Sequence, residues 1–567
     1  MDRALRPSTR SPSRARCVAF VVARLTSSRL PAKQFRTIGD RCLLDWTIGE
    51  LRRCGRLDEI VLATVNEPEN EPLRDYCRER GLECFWFEGD VNHVTTRLRR
   101  AAERYRAEIG VLVSGDCPLL QAEAIDAILE SFEQAEGADF VILSGKAEPP
   151  ALQGVVVGRV AAWQLADDLA DRPELKEHQF PLLGRRPDLF RPLKVELPAD
   201  VCMPYHRLSV DTAADLEFMN ALWRRLRDAG REFNLRESVR LLKAAPELRA
   251  INAHVHQRGV EEAAHSVLCV ADAGGEYGFG HLSRSIELAW QMVERLGWPV
   301  HFVVDDAAAA EQLAQAGLVC RWGAFGRTCR PGNDSPAPFE GRFSDYDLVI
   351  LDIFDQRGPE PGWRARHAVG GKVAVIENWR DWSREADLIV GPNVLGRGDE
   401  VSSWAGPRVI EGEDYLIVRR EIRREAALGT ERETDLLAYL HDPRRREELA
   451  EWARGAGVRA ELPGGYALDF PHRLSRSRVY LSGFGVSFYE ALALGSVPIC
   501  WPDSRAHRQD AERFYAWWGV SPLIVESVAD LDRVFQSARD LAGGPLPRIK
   551  DGTPAVVEEL KRLVESS

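Results

Sequence analysis

Three basic side chains and two serines share one short loop near the start of the chain. The segment "ARLTSSRLPAK", residues 23–33, follows an apolar run and contains Arg24, Ser27, Ser28, Arg29 and Lys33. Fixed positive charges and free backbone N–H groups at the end of a strand suit a triphosphate, which needs both. The alternative is a solvated basic loop, because short basic matches are common.

Two aspartates stand at comparable places further along the chain. Asp116 follows the apolar run "VLVSG", and Asp211 in "RLSVDTAADLE" is expected to end a short strand before a helix. Carboxylates that converge at a sheet edge can hold Mg²⁺, which prefers hard oxygen ligands and substrate phosphates. Alternatively, Asp211 begins a turn and Asp215 starts the helix.

A glycine-rich loop with a histidine, "GGEYGFGHLSR", occupies residues 274–284 between an apolar strand and a helix. Gly278, Gly280 and Ser283 give G-x-G-x-x-S, which lacks the third glycine of a dinucleotide-binding fingerprint. His281 at the start of the helix can meet a ligand at the positive helix end, as can Arg284. A simpler role for His281 is to close the turn or to hydrogen-bond a backbone carbonyl.

A second glycine-rich turn lies in "YLSGFGVSFYEALALG", residues 480–495. Backbone N–H groups around Ser482, Gly483 and Gly485 suit a diphosphate, and Glu490 one turn into the helix suits ribose hydroxyls. The alternative is an exposed helix glutamate followed by a C-cap glycine.

The elements that position these residues alternate between apolar strands and amphipathic helices. From "VAFVVA" to "DFVILSG" the pattern predicts a parallel sheet covered by helices on both faces, with ligands at the carboxyl ends of the strands. A second α/β series begins at "SVLCVADA" and a third near residue 415. The boundary between the two major parts is predicted near residues 245–265.

Composition narrows the class of protein. With 567 residues, several domains are expected, and a net charge of −12 argues against general affinity for nucleic acid. No apolar run approaches the roughly 18–20 residues of a membrane span. The eleven cysteines form no CxxC pair, which is typical of a cytoplasmic protein with reduced thiols.

The motifs "ARLTSSRLPAK", "GDCPLL" and "RLSVDTAADLE" resemble those of cytidylyltransferases that make CMP-activated sugars, including the spore-coat polysaccharide family. The resemblance implies that Arg24, Arg29 and Lys33 bind CTP phosphates, that Arg29 and Lys33 also serve catalysis, and that Asp116 and Asp211 hold Mg²⁺. Ala32 departs from the family's usual glycine, and "GDVNHVTTRL" replaces a more acidic stretch.

Residues 266–515 resemble the GT-B architecture and, more narrowly, hydrolases of UDP-linked sugars in pseudaminic acid synthesis. That resemblance implies a UDP-sugar ligand and a catalytic His281 that orients or deprotonates the attacking water. Glu377 and Asn378 replace the family's usual Asp-Asp stretch, and "AALGTERETD" replaces its Gly-Gly-Ser-Asp loop.

We therefore predict a disordered tail at 1–15, a nucleotidyltransferase (GT-A/Rossmann-like) cytidylyltransferase domain at 16–245 and a linker at 246–264. A GT-B-like pair of Rossmann-like subdomains is predicted at 265–400 and 401–567. The expected protein is a cytoplasmic Mg²⁺-dependent enzyme of surface-glycan and nonulosonic acid synthesis, with a homodimer as one candidate assembly. Its alternatives are a glycosyltransferase or a non-catalytic binding module in the second half, and a non-sugar alcohol or phosphonate as acceptor in the first.

Overall fold

The computed structural model describes residues 14–177, 179–256, 265–273, 279–322, 342–353, 362–377, 385–394, 407–463 and 469–566. The chain divides into two compact units, Met1–Glu262 and Ala263–Ser567. Within the described ranges, no helix combines the length and apolar character that a membrane crossing requires.

Unit 1 contains a seven-stranded sheet and a small hairpin. Its strands are β1 Cys17–Val22, β2 Thr37–Ile38, β3 Arg41–Cys42, β4 Glu59–Val65, β5 Glu83–Phe87, β6 Ile109–Ser114, β7 Phe140–Gly145, β8 Val155–Arg159 and β9 Pro192–Leu197. The sheet order is β5-β4-β1-β6-β8-β7-β9, and β2 pairs with β3. The predicted alternation of strands and helices is confirmed.

One strand departs from the predicted parallel sheet. β8 runs antiparallel to both β6 and β7, while β1, β4, β5 and β6 pair in parallel. The sequence pattern does not predict β8, which leads directly into a helix at Val160. The order of the parallel strands reverses between β1 and β6, and such a switch point opens a crevice at the carboxyl ends of the two strands.

The helices of unit 1 cover both faces of the sheet. They are α1 Leu43–Arg53, α2 Glu71–Arg80, α3 Val94–Arg104, α4 Ala122–Gln134, α5 Val160–Asp168, α6 Pro173–Glu177, α7 Pro181–Arg185, α8 Ala213–Asp228 and α9 Leu235–Ala244. Two buried apolar clusters form the core, because residues alternate along β1: Ala19 and Val21 join one cluster, and Val18 and Phe20 join the other.

Unit 2 has two parallel sheets. The larger contains β10 Val267–Ala271, β11 Val300–Val304, β12 Val319–Trp322, β13 Leu348–Asp352, β14 Lys372–Ile376, β15 Leu388–Gly391 and β16 Arg408–Glu411, in the order β12-β11-β10-β13-β14-β15-β16. The smaller contains β17 Thr434–Tyr439, β18 Ala460–Glu461, β19 Ser477–Ser482 and β20 Val497–Cys500, in the order β18-β17-β19-β20. The larger sheet reverses its strand order between β10 and β13, so a second crevice is expected there.

The helices of unit 2 connect these strands. They are α10 Gly280–Leu296, α11 Ala307–Ala316, α12 Trp363–Arg366, α13 Arg420–Leu428, α14 Pro443–Ala456, α15 Phe470–Ser475, α16 Ser487–Ala493, α17 Arg505–Trp518, α18 Leu531–Ala542 and α19 Thr553–Glu565. Arg420 at the start of α13 is buried against two buried glutamates of α10, with contacts of 3.4 Å to Glu287 and 3.0 Å to Glu294. This ion network joins α10 to the segment that enters the smaller sheet.

Candidate functional site

The crevice between β1 and β6 brings together the basic loop and the two aspartates of the first motif set. Lys33 begins a short 3₁₀ helix, Lys33–Phe35, at the end of the loop that follows β1. Asp116 follows β6 by two residues, and the backbone N–H of Val210 donates to the Asp116 carbonyl at 2.8 Å. That bond places Asp211 beside Asp116, although the short strand expected before Asp211 is not formed and the segment is irregular.

Lys33 is the centre of the site. Its Nζ donates to Asp116 Oδ2 at 2.6 Å and to Asp211 Oδ1 at 2.5 Å, and the residue is only 8% exposed. The two carboxylates therefore lie within reach of a single cation. The structure brings Lys33, Asp116 and Asp211 together at one place. A shared site for phosphates and a metal ion needs this arrangement.

Asp211 is surrounded by further positive charge. Arg29 Nη2 lies 3.1 Å from Asp211 Oδ1, and the buried guanidinium of Arg207 also contacts the Asp211 carboxylate. Arg207 Nε in turn donates to Asp215 at 3.1 Å. Sequence reasoning missed Arg207; its signal was a charged residue four positions before Asp211 in the motif "RLSVDTAADLE".

Asp215 stabilises the backbone next to Asp211 through hydrogen bonds. Thr212 is the N-cap of α8, and Asp215 completes a capping box by accepting the Thr212 backbone N–H at 3.1 Å. Asp215 Oδ1 also accepts a hydrogen bond from the buried Asn252 side chain at 3.0 Å. Asp215 therefore does start the helix, while Asp211 stays in the crevice.

The charges of this cluster determine its protonation. Burial alone would raise the pKa of Asp211, but the cations Lys33, Arg29 and Arg207 lower it well below its usual range. Burial would lower the pKa of Lys33, and the two aspartates raise it instead. Lys33 and Asp211 are therefore both charged at neutral pH, and each stabilises the charge of the other.

The donor set of the crevice fits Mg²⁺ together with a phosphate ligand. Across the described parts of the chain, no group of three or more His, Cys, Asp or Glu side chains is placed to hold a metal ion by itself. Magnesium in nucleotide sites is usually held by one or two carboxylates, with phosphates and water completing the octahedron. Asp116 and Asp211, which share one ammonium group, provide such a pair.

The rest of the basic loop is held by local hydrogen bonds. Ser27 Oγ accepts the backbone N–H of Leu30 at 3.3 Å, so Ser27 shapes the turn. Arg24 is half-buried, and Ser28 is exposed. Ala32 has φ 50°, a left-handed conformation that favours glycine, which gives a physical reason for the family's glycine at this position.

The second predicted site lies at the switch point of the larger sheet in unit 2. His281, in the first turn of α10, places Nδ1 2.7 Å from Oδ1 of Asp352, the fully buried last residue of β13. Arg284 donates to both Asp352 oxygens at 2.8 and 2.5 Å, and Ser285 Oγ donates to Asp352 Oδ2 at 2.8 Å. The histidine thus contacts a buried carboxylate.

Asp352 orients His281. Burial alone would raise the pKa of Asp352, but Arg284 and His281 lower it far below its usual range, so the group is a carboxylate. His281 Nδ1 also lies 3.0 Å from Arg284 Nη2; in the tautomer with its proton on Nδ1, His281 donates to the Asp352 carboxylate and Nε2 carries the lone pair. Sequence reasoning missed Asp352, although it ends the apolar run "DLVILD" much as Asp116 follows its own strand.

Glu377 completes the cluster. Its carboxylate lies 2.7 Å from Arg284 Nη1, and its φ of 68° is in the left-handed region directly after β14. Tyr489 of α16 is close enough for Glu377 to contribute to raising the pKa of its phenol, behind the larger effect of burial. Asn378, like Gly278, lies outside the described residues.

The second glycine-rich turn and the start of α10 hold the remaining predicted residues of unit 2. Ser482 ends β19, Gly483 and Gly485 lie in the turn before α16, and Gly280 is the first residue of α10. Glu490 is buried, so it is not the exposed helix residue of the alternative, and both its oxygens accept hydrogen bonds from Arg419 at 2.5 and 2.6 Å. Its predicted contact with ribose would require that this ion pair open.

Comparison with known proteins concerns the first part of the chain. Residues 18–190 match the family model described as "Cytidylyltransferase". An uncharacterised protein of Methanocaldococcus jannaschii is 25% identical over 255 residues, which are 43% of this chain and 98% of that protein. The spore coat polysaccharide biosynthesis protein SpsF of Bacillus subtilis is 26% identical over 214 residues, 37% of this chain and 87% of SpsF.

A further relative is a 3-deoxy-manno-octulosonate cytidylyltransferase of Acidobacterium capsulatum. It is 31% identical over 117 residues, which are 21% of this chain and 46% of that enzyme. These similarities support the presence of a cytidylyltransferase-family domain in the N-terminal unit.

Proposed function

From the match of residues 18–190 to cytidylyltransferases, we propose that unit 1 transfers CMP from CTP to a sugar acid and releases pyrophosphate. The observation that carries this proposal is the Lys33 ammonium shared by Asp116 and Asp211, at 2.6 and 2.5 Å, in the crevice between β1 and β6. The cations Lys33 and Arg29 lie beside the carboxylates Asp116 and Asp211. Two cations and two carboxylates at one place suit a metal-bound triphosphate.

The residues of the chain take separate parts in the reaction. Arg24, Arg29 and Lys33 bind phosphate oxygens, and Arg29 and Lys33 leave their carboxylate partners to do so. Asp116 and Asp211 would hold Mg²⁺, which when bound neutralises charge on the phosphates. A hydroxyl of the acceptor attacks the α-phosphorus in line, and the bond to the β-phosphate oxygen breaks. Most of the acceleration then comes from alignment and fixed charge.

The relatives' names suggest the class of acceptor. Both a spore-coat polysaccharide protein and 3-deoxy-manno-octulosonate cytidylyltransferases are similar to this chain. An acidic sugar is therefore the first acceptor to test, and a neutral alcohol and a phosphonate are the rival classes.

Pyrophosphate release from each of the four NTPs tests the proposal, with 3-deoxy-manno-octulosonate, a neutral alcohol or a phosphonate as acceptor. We expect release that requires CTP, Mg²⁺ and the sugar acid. Asp211→Asn should reduce the rate by about 100-fold or more, since it removes a charge at the reacting phosphates. Asp228→Asn is the matched control, because the Asp228 side chain is 62% exposed and contacts neighbouring Arg227. Equal rates for both variants would reject the site.

For unit 2 we propose a sugar-nucleotide hydrolase-like module in which His281 activates water toward a UDP-sugar. Its support is the 2.7 Å contact between His281 and the buried Asp352, at a switch point where ligands commonly bind. Release of UDP and free sugar without an acceptor is the expected activity, and His281→Gln should abolish it. His472→Gln is the control, since His472 is half exposed. Sugar transfer to an acceptor would favour a glycosyltransferase, and UDP binding without turnover would favour a binding module.

A further inference from the structure

Arg97 is a buried arginine that forms no ion pair with any residue that the structure describes. It lies in the first half of α3 and is 1% exposed. Two of its three side-chain nitrogens, Nε and Nη1, are enclosed and have no hydrogen-bond partner among the described residues. Burying an arginine in this way is unfavourable, because the guanidinium loses water and receives no acceptor in return.

The other polar residues in this part of α3 do have partners. Thr95 and Thr96 both donate to Asp167 of α5, at 2.8 and 2.7 Å. Arg99 contacts Asp167 at 3.2 Å and Asp168 at 2.6 Å. Asp167 therefore binds residues before and after Arg97 in sequence, but the Arg97 side chain forms no ion pair with Asp167.

Arg97 lies next to the basic loop of the proposed active site. Helix α3 packs on β1 and β4, and Arg24 and Glu67 follow these two strands. The loops after β1 and β4 are joined by a hydrogen bond of 2.9 Å from the Leu25 backbone N–H to Asn70. Arg97 is thus close to the carboxyl ends of β1 and β4, of which β1 borders the crevice.

The charges near Arg97 are unbalanced. The pKa of Arg97 is lowered to about 10, mainly by burial and further by the positive charge of Arg24, against a smaller opposite effect of Glu67. Within the described part of the chain, neither Arg24 nor Arg97 forms an ion pair, whereas Arg29 and Lys33 already contact aspartates. Two neighbouring unpaired guanidinium groups are the chemistry that an oxyanion satisfies.

We infer that Arg97, next to Arg24, binds an oxyanion of the substrate, separately from the Lys33–aspartate cluster. The inference rests on the proposed function for the identity of that substrate. The oxyanion is either a phosphate of the nucleotide or the carboxylate of the sugar acid, since a guanidinium binds both in the same way. Arg97 then acts as a buried anchor whose missing partner arrives with the ligand.

The test compares Arg97→Met with Arg99→Met by thermal unfolding of the full chain, with and without each of three probes. The probes are inorganic pyrophosphate, CTP and 3-deoxy-manno-octulosonate. Without ligand, Arg97→Met should keep or raise Tm, because it removes an unpaired buried charge, while Arg99→Met should lower Tm, because it breaks ion pairs. A fall in Tm for Arg97→Met, or its failure to fold, would show that Arg97 is structural and would overturn the inference.

The ligand arms identify the oxyanion. Arg97→Met should weaken binding at least tenfold either for pyrophosphate and CTP together or for the sugar acid alone, and Arg99→Met should leave all affinities unchanged. Arg97→Lys should restore part of the lost affinity, because it restores the charge without the planar donors. Wild-type affinity of Arg97→Met for every probe, or no binding of any probe to the wild-type protein, would refute the inference. Probe binding that depends on Arg97 without CMP transfer would refute the proposed function alone.

Discussion

Replacement of Lys33 by methionine removes the cation on which the crevice is centred. The ammonium group is buried and contacts Asp116 at 2.6 Å and Asp211 at 2.5 Å. Loss of one partner from a buried ion pair typically costs about 3–5 kcal/mol. Asp211 keeps Arg29 and Arg207, and Asp116 is partly exposed, so the cost belongs at the low end, about 3 kcal/mol. For a unit of this size, that loss lowers Tm by roughly 6–12 °C.

The loss of stability in Lys33→Met should depend on pH and on Mg²⁺. The pKa of Asp211 is lowered in the folded protein, so its stabilisation is complete above the ordinary aspartate pKa of about 4 and is lost as pH falls below it. The Tm difference between wild type and Lys33→Met should therefore be full at pH 7 and shrink in acid. Because the variant leaves two carboxylates without their shared cation, added Mg²⁺ should raise its Tm more than that of the wild type.

Thermal unfolding at pH 7, with and without Mg²⁺, measures both effects. Lys243→Met is the matched control, because Lys243 contacts Glu148 at 2.5 Å but its side chain is 39% exposed. A surface pair of this kind contributes about 1 kcal/mol or less. If Lys33→Met unfolds at the wild-type temperature, or if Mg²⁺ has the same effect on both proteins, Lys33 does not neutralise the aspartate pair as described.

Three further substitutions each test one local feature of the structure. Ala32→Gly should raise Tm, because a left-handed alanine at φ 50° costs about 1–2 kcal/mol, and the entropy cost of glycine offsets only part of that gain; a lower Tm would contradict this strain. Asp352→Asn should lower stability by about 3 kcal/mol in urea unfolding, because buried Arg284 loses its main partner; an unchanged midpoint would show that Glu377 suffices. Thr212→Ala should cost about 1 kcal/mol in the same assay through loss of the α8 cap, and no loss would mean that Asp215 alone holds the helix start.

Much of the fold could be predicted from local sequence. The runs "EIVLATV", "ECFWF" and "DFVILSG" are predicted as strands and form Glu59–Val65, Glu83–Phe87 and, but for the first residue Asp139, Phe140–Gly145. Apolar runs of this length between turn residues are strong signals. β8 escapes such a prediction because "VVVGR" runs straight into a helix, and its antiparallel direction depends on pairing with β6, which is distant in sequence.

The site was only partly predictable for the same reason. The loop after β1 and the aspartates at 116 and 211 could be recognised by their types and positions. Their convergence on Lys33 depends on a separation of 178 residues between Lys33 and Asp211, which no local pattern encodes. In sequence, Arg97 is one of several helix arginines in "TTRLRRAAER"; its burial and its lack of an ion pair with the described residues distinguish it from Arg99 and Arg100.

We propose that the crevice of unit 1 joins CMP to a sugar acid. Phosphorus NMR of a reaction with CTP, Mg²⁺ and 3-deoxy-manno-octulosonate tests it most directly. The wild-type protein should produce a CMP phosphodiester signal together with pyrophosphate, and Asp211→Asn should produce neither. Pyrophosphate without the diester, or a diester formed equally by Asp211→Asn, would contradict the account.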